Sequence, residues 1–355
     1  MLNFSQMLIT KAFWGKCIDF FVDFAGNYGW AIILLTVAIK LILCPIDIVQ
    51  KRMNKKNAEI QAIMQPELLK IQQQYPGDRN KLNQKQMELS KKYNFNMTGT
   101  CLTLLITLII SLVVFSSLFV SLNSLSTKQE NIAFNEIYQT YNSAKAYTVD
   151  NNQFLLEDGI TINQAKVDEY IALQVRNKFK DQADKYSFMW VRNVWKGDTT
   201  TSPVVKYSTF KKYALKNGIA TTETLPELEQ DHATISMIIE DKYESNGCYL
   251  LIIFAGLITF LTQFIQTKIQ QKKSGGMANP SSKTMLIMMP LIMIIFASTS
   301  SALFTLYIIT SSLMSFLLGS VIDLFVKDKK SGSGQIVYKK GNTEVVEYSR
   351  NYNKG

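Results

Sequence analysis

The chain is poor in histidine, in cysteine and in the glycine-rich loops that hold nucleotides, and each shortage removes a class of chemistry. One histidine, His232, stands among 355 residues. It lies in a polar stretch, so neither a histidine-based catalytic centre nor a histidine metal cluster is expected. No G-x-x-x-x-G-K-(S/T) or G-x-G-x-x-G occurs, so the chain carries no nucleotide-driven motor of its own. Cys17, Cys44, Cys101 and Cys248 form no C-x-x-C pair. They read as isolated small apolar residues, with a Cys17–Cys248 bridge outside the membrane as the alternative. A non-enzyme without catalytic residue, cofactor, metal or DNA partner is the expectation.

Charge is missing too, over long runs. Trp30 to Ile48 holds one cation and one anion, and Cys101–Ser126, Gly247–Thr267 and Thr284–Ile322 hold none. Roughly 20 apolar helical residues cross a ~30 Å hydrocarbon layer. A polytopic membrane protein follows. The last run, 39 residues, is too long for one helix and fits two joined at Ser298, Thr299, Ser300 and Ser301. Five spans are predicted, at 29–48, 100–122, 248–267, 284–298 and 302–326. The fourth is short, which predicts a thinned bilayer or a shallow hairpin.

Basic residues orient these spans. Between Lys51 and Lys92 there are ten Lys/Arg against four acids, Lys268–Lys283 has four Lys and no acid, and the tail after Val326 has seven against three. The stretch from Asn123 to Gly247 has fourteen basic and seventeen acidic residues. The positive-inside rule puts the first three segments in the cytoplasm and the N-terminus and 123–247 outside. Residues 1–28 predict an amphipathic helix on the outer surface, with Phe13, Cys17, Phe20, Phe21 and Phe24 opposite Lys16, Asp19 and Asp23. They make a poor signal peptide, and a leader or lipid anchor ahead of Met1 would account for the outward placement. Residues 49–99 predict a cytoplasmic helical hairpin turning at Tyr75-Pro76-Gly77-Asp78, with Pro66 at a first turn or kink. Its Lys/Arg surface suits a nascent chain, anionic lipid or the ribosome, the alternative being a solvated element that only sets topology. Residues 268–283 form a cytoplasmic loop and 327–355 a basic cytoplasmic tail.

Lys40 is the residue out of place. It lies about 10 Å along the helix from Asp47. A lysine near the bilayer centre costs about 2.5–3.5 kcal/mol on insertion scales, so it turns towards protein or water, unless its stem snorkels to the interface. Thr36 shares its face. Thr100, Thr103, Thr107 and Ser111 stripe the second span, Thr259, Thr262, Gln263 and Gln266 the third, and Thr305, Ser312, Ser315 and Gly319 the fifth. Such stripes serve either as helix–helix contacts or as walls of a shared hydrated cavity. A cavity open to the cytoplasm would hold a polar or acidic peptide segment in transit, because bare polar groups are unfavourable in hydrocarbon.

The run Asn27-Tyr-Gly-Trp-Ala-Ile-Ile-Leu-Leu-Thr-Val-Ala-Ile-Lys-Leu-Ile-Leu-Cys-Pro45 resembles the first core span of the YidC/Oxa/Alb membrane protein insertases, with Thr, a basic residue four later and Pro five beyond. Gln65-Pro-Glu-Leu and Lys91-Lys-Tyr-Asn-Phe-Asn96 are similar to that family's hairpin. Phe188-Met-Trp-Val-Arg-Asn-Val-Trp195 is similar to the segment before its third core span, and Met289-Pro290 and Leu306-Tyr307 to its last two spans. The resemblance implies a five-helix core with a hydrophilic groove open to the cytoplasm and closed outside. By the same resemblance Lys40 holds the groove's basic position, where the family usually has Arg, and Thr36 and Tyr307 touch the substrate's span. The expected site is therefore Lys40, Thr36, Thr103, Thr107, Gln263, Tyr307 and Ser312. The implied function is insertion of hydrophobic segments of nascent proteins into a bacterial plasma membrane, with lipid, ribosome and Sec translocon as partners. A small-molecule or ion transporter and a non-catalytic assembly factor are the alternatives. Residues 127–185 depart from the family as an added, Tyr-rich soluble subdomain.

Overall fold

The computed structural model describes residues 11–93, 97–149, 151–157, 160–273, 280–325, 335–340 and 343–348. Four of its helical stretches are long and apolar enough to cross a membrane: Tyr28–Met53, Leu108–Val149, Leu250–Ile269 and Ala302–Ile322. A shorter apolar stretch covers Leu286–Thr299. The protein is an all-α polytopic membrane protein in its membrane part. A departure lies in the tail, where β1 (Gln335–Lys340) pairs antiparallel with β2 (Thr343–Tyr348), Val337 opposite Val346. Of the loop expected at 268–283, residues 268–273 and 280–283 continue the flanking helices, and 274–279 lie outside the described residues, as do 327–334, 341–342 and 349–355 of the expected tail and Asn94–Asn96 of the hairpin motif.

The chain divides into two compact units. The first takes the described residues of Met1–Ala38, together with Val113–Thr259 and Met289–Ser311. It begins with α1 (Lys11–Ala25). The phenylalanine stripe, expected to lie on the outer membrane surface, is not the side that packs within the unit. Trp14, Ile18 and Val22 are buried, one turn apart, whereas Phe20 and Phe24 are exposed. Helical geometry gives α1 two apolar faces, and the Trp14 indole N–H donates to Ser117 Oγ at 2.7 Å, which selects the face carrying Trp14.

Two helices run far beyond a bilayer's thickness. α2 (Tyr28–Gln74) has 47 residues and contains both Pro45 and Pro66. Each proline forfeits one bond of the helical ladder, yet the helix continues through them. α3 (Arg79–Lys92) follows a turn in which Gly77 holds a positive φ of 98° and Asp78 caps the new helix by accepting from the Lys81 N–H. α4 (Met97–Val149) has 53 residues, about 80 Å at 1.5 Å per residue. Its apolar run ends at Ser126, and the remainder enters a helical subdomain.

That subdomain is built from the end of α4 with α5 (Gln164–Tyr186), α6 (Tyr207–Lys216) and α7 (Leu225–Glu240). Phe134, Ile137, Tyr141 and Ala144 recur at helical spacing on α4 and pack with Val167, Ile171 and Val175 of α5, Phe210 of α6, and Leu228, Ile235 and Ile239 of α7. His232, polar by its sequence neighbours, lies inside this core because Leu228, Ile235 and Ile239 share its helix face. Its Nε2–H donates to the Val205 carbonyl at 2.9 Å. Burial lowers its pKa from the ordinary value, against an opposing pull from that bond.

The second unit takes Ile39–Leu112, Phe260–Met288 and the described part of Ser312–Gly355. Its α2–α3 hairpin closes on Met64, Leu89 and Tyr93, flanked by Ile60, Ile63, Leu68 and Ile71. Glu67 accepts from Lys92 Nζ at 2.8 Å and from the Tyr93 hydroxyl at 2.7 Å. Partial burial alone would raise the Glu67 carboxyl, but these bonds outweigh it and hold it below the ordinary carboxylate value. The remaining helices are α8 (Leu250–Lys273), α9 (Pro280–Thr299) and α10 (Ala302–Phe325), each shared between the units.

Candidate functional site

The expected groove residues fall in both units. Lys40, Thr103, Thr107, Gln263 and Ser312 belong to the second, Thr36 and Tyr307 to the first. Lys40 is half-buried on α2, and the charge acting on it is Asp47, seven residues along the same helix. At the far end of the same apolar stretch Lys51 Nζ donates to the Gly319 carbonyl of α10, so that glycine of the fifth stripe is a contact for a cation. Gln263 and Ser312 are half-buried. Thr103 and Thr107 lie on α4, with side chains outside the described residues.

In the first unit the described hydroxyls of these stripes donate to backbone carbonyls. Thr36 is fully buried and donates to the Ile32 carbonyl at 2.6 Å. Thr259 donates to Ala255 at 2.7 Å, and Thr305 to Ala297 and Ser301 at 3.3 Å. Tyr307 is buried beside Phe115 and Phe304, with ring centroids 6.4 Å and 5.6 Å away, and its hydroxyl shares a hydrogen bond with Ser311. Phe119 and Phe296 extend the cluster, Phe296 edge-on to Phe115 at 5.3 Å. These rings form an aromatic cluster among α4, α9 and α10.

A polar network that single residues of the sequence do not advertise ties the starts of α8 and α10 to the segment after α5. The segment after α5 folds through Phe188–Thr201 without regular structure, and its backbone is stapled to neighbours. The Ala302 and Leu303 N–H groups donate to the Lys196 and Val194 carbonyls, at 2.7 Å and 3.0 Å. Asn246 donates to the Asn193 and Gly197 carbonyls and accepts from the Asn193 N–H. Asp198, fully buried, accepts from the Cys248 and Leu251 N–H groups at 2.7 Å and 2.6 Å and from Trp190 Nε1 at 3.2 Å, so it caps the start of α8. Tyr28, at the start of α2, stacks on Tyr186 and meets Trp195 edge-on at 4.8 Å. Gly29 is needed beside them: a Cβ there would fall 2.2 Å from the Phe188 ring. The signal available in the sequence was Asp198, an acid between Gly197 and a Thr/Ser run but 50 residues ahead of Cys248, which is weak without knowing its partners. Cys17 and Cys248 are free thiols.

The sequence matches the family of the 60Kd inner membrane protein over residues 20–329. The chain belongs to that family. Similar proteins carry the name "Membrane protein insertase YidC". One from Clostridium tetani is 48% identical over 80 residues, covering 22% of this chain and 34% of the relative. One from Fusobacterium nucleatum is 39% identical over 110 residues, covering 31% and 52%. One from Nitratidesulfovibrio vulgaris is 40% identical over 89 residues, covering 25% and 16%. The matched stretches thus span about half or less of these relatives' own lengths.

Proposed function

We propose that this member of the 60Kd inner membrane protein family is a membrane protein insertase. It moves hydrophobic segments of nascent proteins from the cytoplasm into the bilayer through a hydrated groove carrying Lys40, without nucleotide hydrolysis. The observation that carries the reading is family membership over residues 20–329, joined to a half-buried lysine inside a stretch otherwise apolar enough to span. The groove takes the short polar tail of a substrate, Lys40 attracts its acidic residues, and the apolar segment then partitions into lipid. Transfer of apolar surface, at about 25 cal/mol per Å², supplies the driving force. Thr36, Thr103, Thr107, Gln263, Tyr307 and Ser312 are the further residues assigned to substrate contact, Thr36 and Tyr307 by the family resemblance. The protein has its N-terminus outside and C-terminus inside a bacterial plasma membrane. The basic hairpin and tail receive the ribosome or the nascent chain, with the Sec translocon as a further partner.

Complementation of a depleted strain tests the reading. Lys40→Ala is expected to reduce insertion of small substrates with acidic tails, and Lys40→Glu to reduce it further, because it adds repulsion to the lost attraction. Wild-type insertion by Lys40→Ala would end the groove-charge mechanism.

A further inference from the structure

Within the first unit, the end of the apolar run of α4, the segment 195–199 and the turn between α9 and α10 line an open cavity of about 390 Å³. Its walls include Ser126 and Glu130 of α4, Trp195, Lys196, and Ser300 and Ser301 of the turn. Ser126, Trp195 and Ser301 are each more than nine-tenths buried, yet Ser126 Oγ, Trp195 Nε1 and Ser301 Oγ have no hydrogen-bond partner among the described residues. Buried donors left unpaired are unfavourable, so three of them around one space call for an occupant rich in acceptors. Glu130 adds a carboxylate, which takes donors, and its charged neighbours are Lys196 and Lys206.

Several occupants fit badly. A phosphate headgroup would face Glu130, and the Lys196 ammonium needed to offset it already donates to the Ser202 and Val204 carbonyls at 2.8 Å and 2.6 Å. Burial also pulls the Lys196 ammonium below its ordinary pKa, against the pull of Glu130. A sugar would need an open aromatic face, and Trp195 is 2% exposed with Tyr28 packed on it. An extended peptide fits: its carbonyls accept from the indole and hydroxyl donors, and its N–H groups or terminal amine donate to Glu130.

We propose that this cavity is a receiving site for the translocated polar tail of a substrate, held by its backbone after it has crossed. The inference rests on the insertase reading and on the α9–α10 turn facing outward, and it adds a second substrate contact at the exit.

The test uses the full chain in proteoliposomes with a photocrosslinking residue at the exposed rim positions Thr127 or Ser298. The probe is a single-span protein with a twenty-residue uncharged N-terminal tail, whose insertion is scored by protease protection in the same tube. Crosslinks from both positions to the tail, appearing only once it is protected, support the site. In Ser126→Ala and in Ser301→Ala they should each fall about fivefold, the equivalent of one lost hydrogen bond. Trp195→Phe, which keeps an aromatic ring and drops the donor, should lower them likewise and checks the contact should the serine variants not fold. Insertion that proceeds while the rim crosslinks only lipid, or nothing, overturns the receiving site and leaves the insertase reading intact. Absence of any protein-dependent insertion overturns both.

Discussion

Asp198 shows how much one buried carboxylate can organise. Three donors converge on it from two segments 40 and more residues apart in sequence, and two of them are otherwise orphan N–H groups at a helix start. Removing the acceptor leaves those groups buried and bare. Asp198→Ala is expected to destabilise the first unit by about 3 kcal/mol, with Asp198→Asn milder because one oxygen remains. Thermal unfolding of the detergent-solubilised protein checks both. His232 makes a pH-dependent contribution. Its folded pKa lies below the unfolded value near 6.5, so stability is fully present above that pH. As the pH falls below about 6.5 the unfolded chain takes up a proton that the folded core refuses, and stability declines. Melting temperatures at pH 7.5 and pH 5 should show this fall, and His232→Gln should flatten the part due to the imidazole.

The hairpin of α2 and α3 lets ionic and apolar contributions be ranked. Glu67 and Lys92 are both well exposed, so their ion pair is worth at most about 1 kcal/mol. Leu89 is buried, and its truncation leaves a cavity worth about 2–4 kcal/mol. Amide hydrogen exchange over residues 60–93 should therefore quicken far more in Leu89→Ala than in Glu67→Ala. Equal effects would mean that the polar cluster with Tyr93 dominates. The turn was legible beforehand, since Pro76-Gly77-Asp78 pairs a residue tolerant of positive φ with a helix cap. The uninterrupted passage of α2 through Pro45 and Pro66 was not, because proline's local penalty is small beside the packing of a 47-residue helix.

For the whole chain, the residues inserted between the second and third spans are not an appendage. α4 carries Phe134, Ile137, Tyr141 and Ala144 into the subdomain core, so removing α5 would strip cover from the membrane helix's own extension. A chain with residues 151–186 replaced by a short flexible linker is expected to accumulate poorly and to elute as aggregate on size exclusion. A monodisperse product at wild-type level would show the subdomain to be dispensable for folding. The same interdependence appears where Val194 and Lys196 accept from the first residues of α10.

Charge-free runs and basic loops were enough to recognise a helical membrane protein and to single out Lys40, because burying charge in hydrocarbon is so unfavourable that composition alone betrays a span. Periodicity could show that α1 is two-faced, but not which face packs, since Phe20 and Val22 are equally apolar and only Ser117, about a hundred residues away, distinguishes them. The fates of Asp198, His232 and the unpaired donors around Glu130 were likewise settled by partners brought from distant segments. A hydrogen bond is a property of two positions in space, and a sequence read one residue at a time contains only half of each.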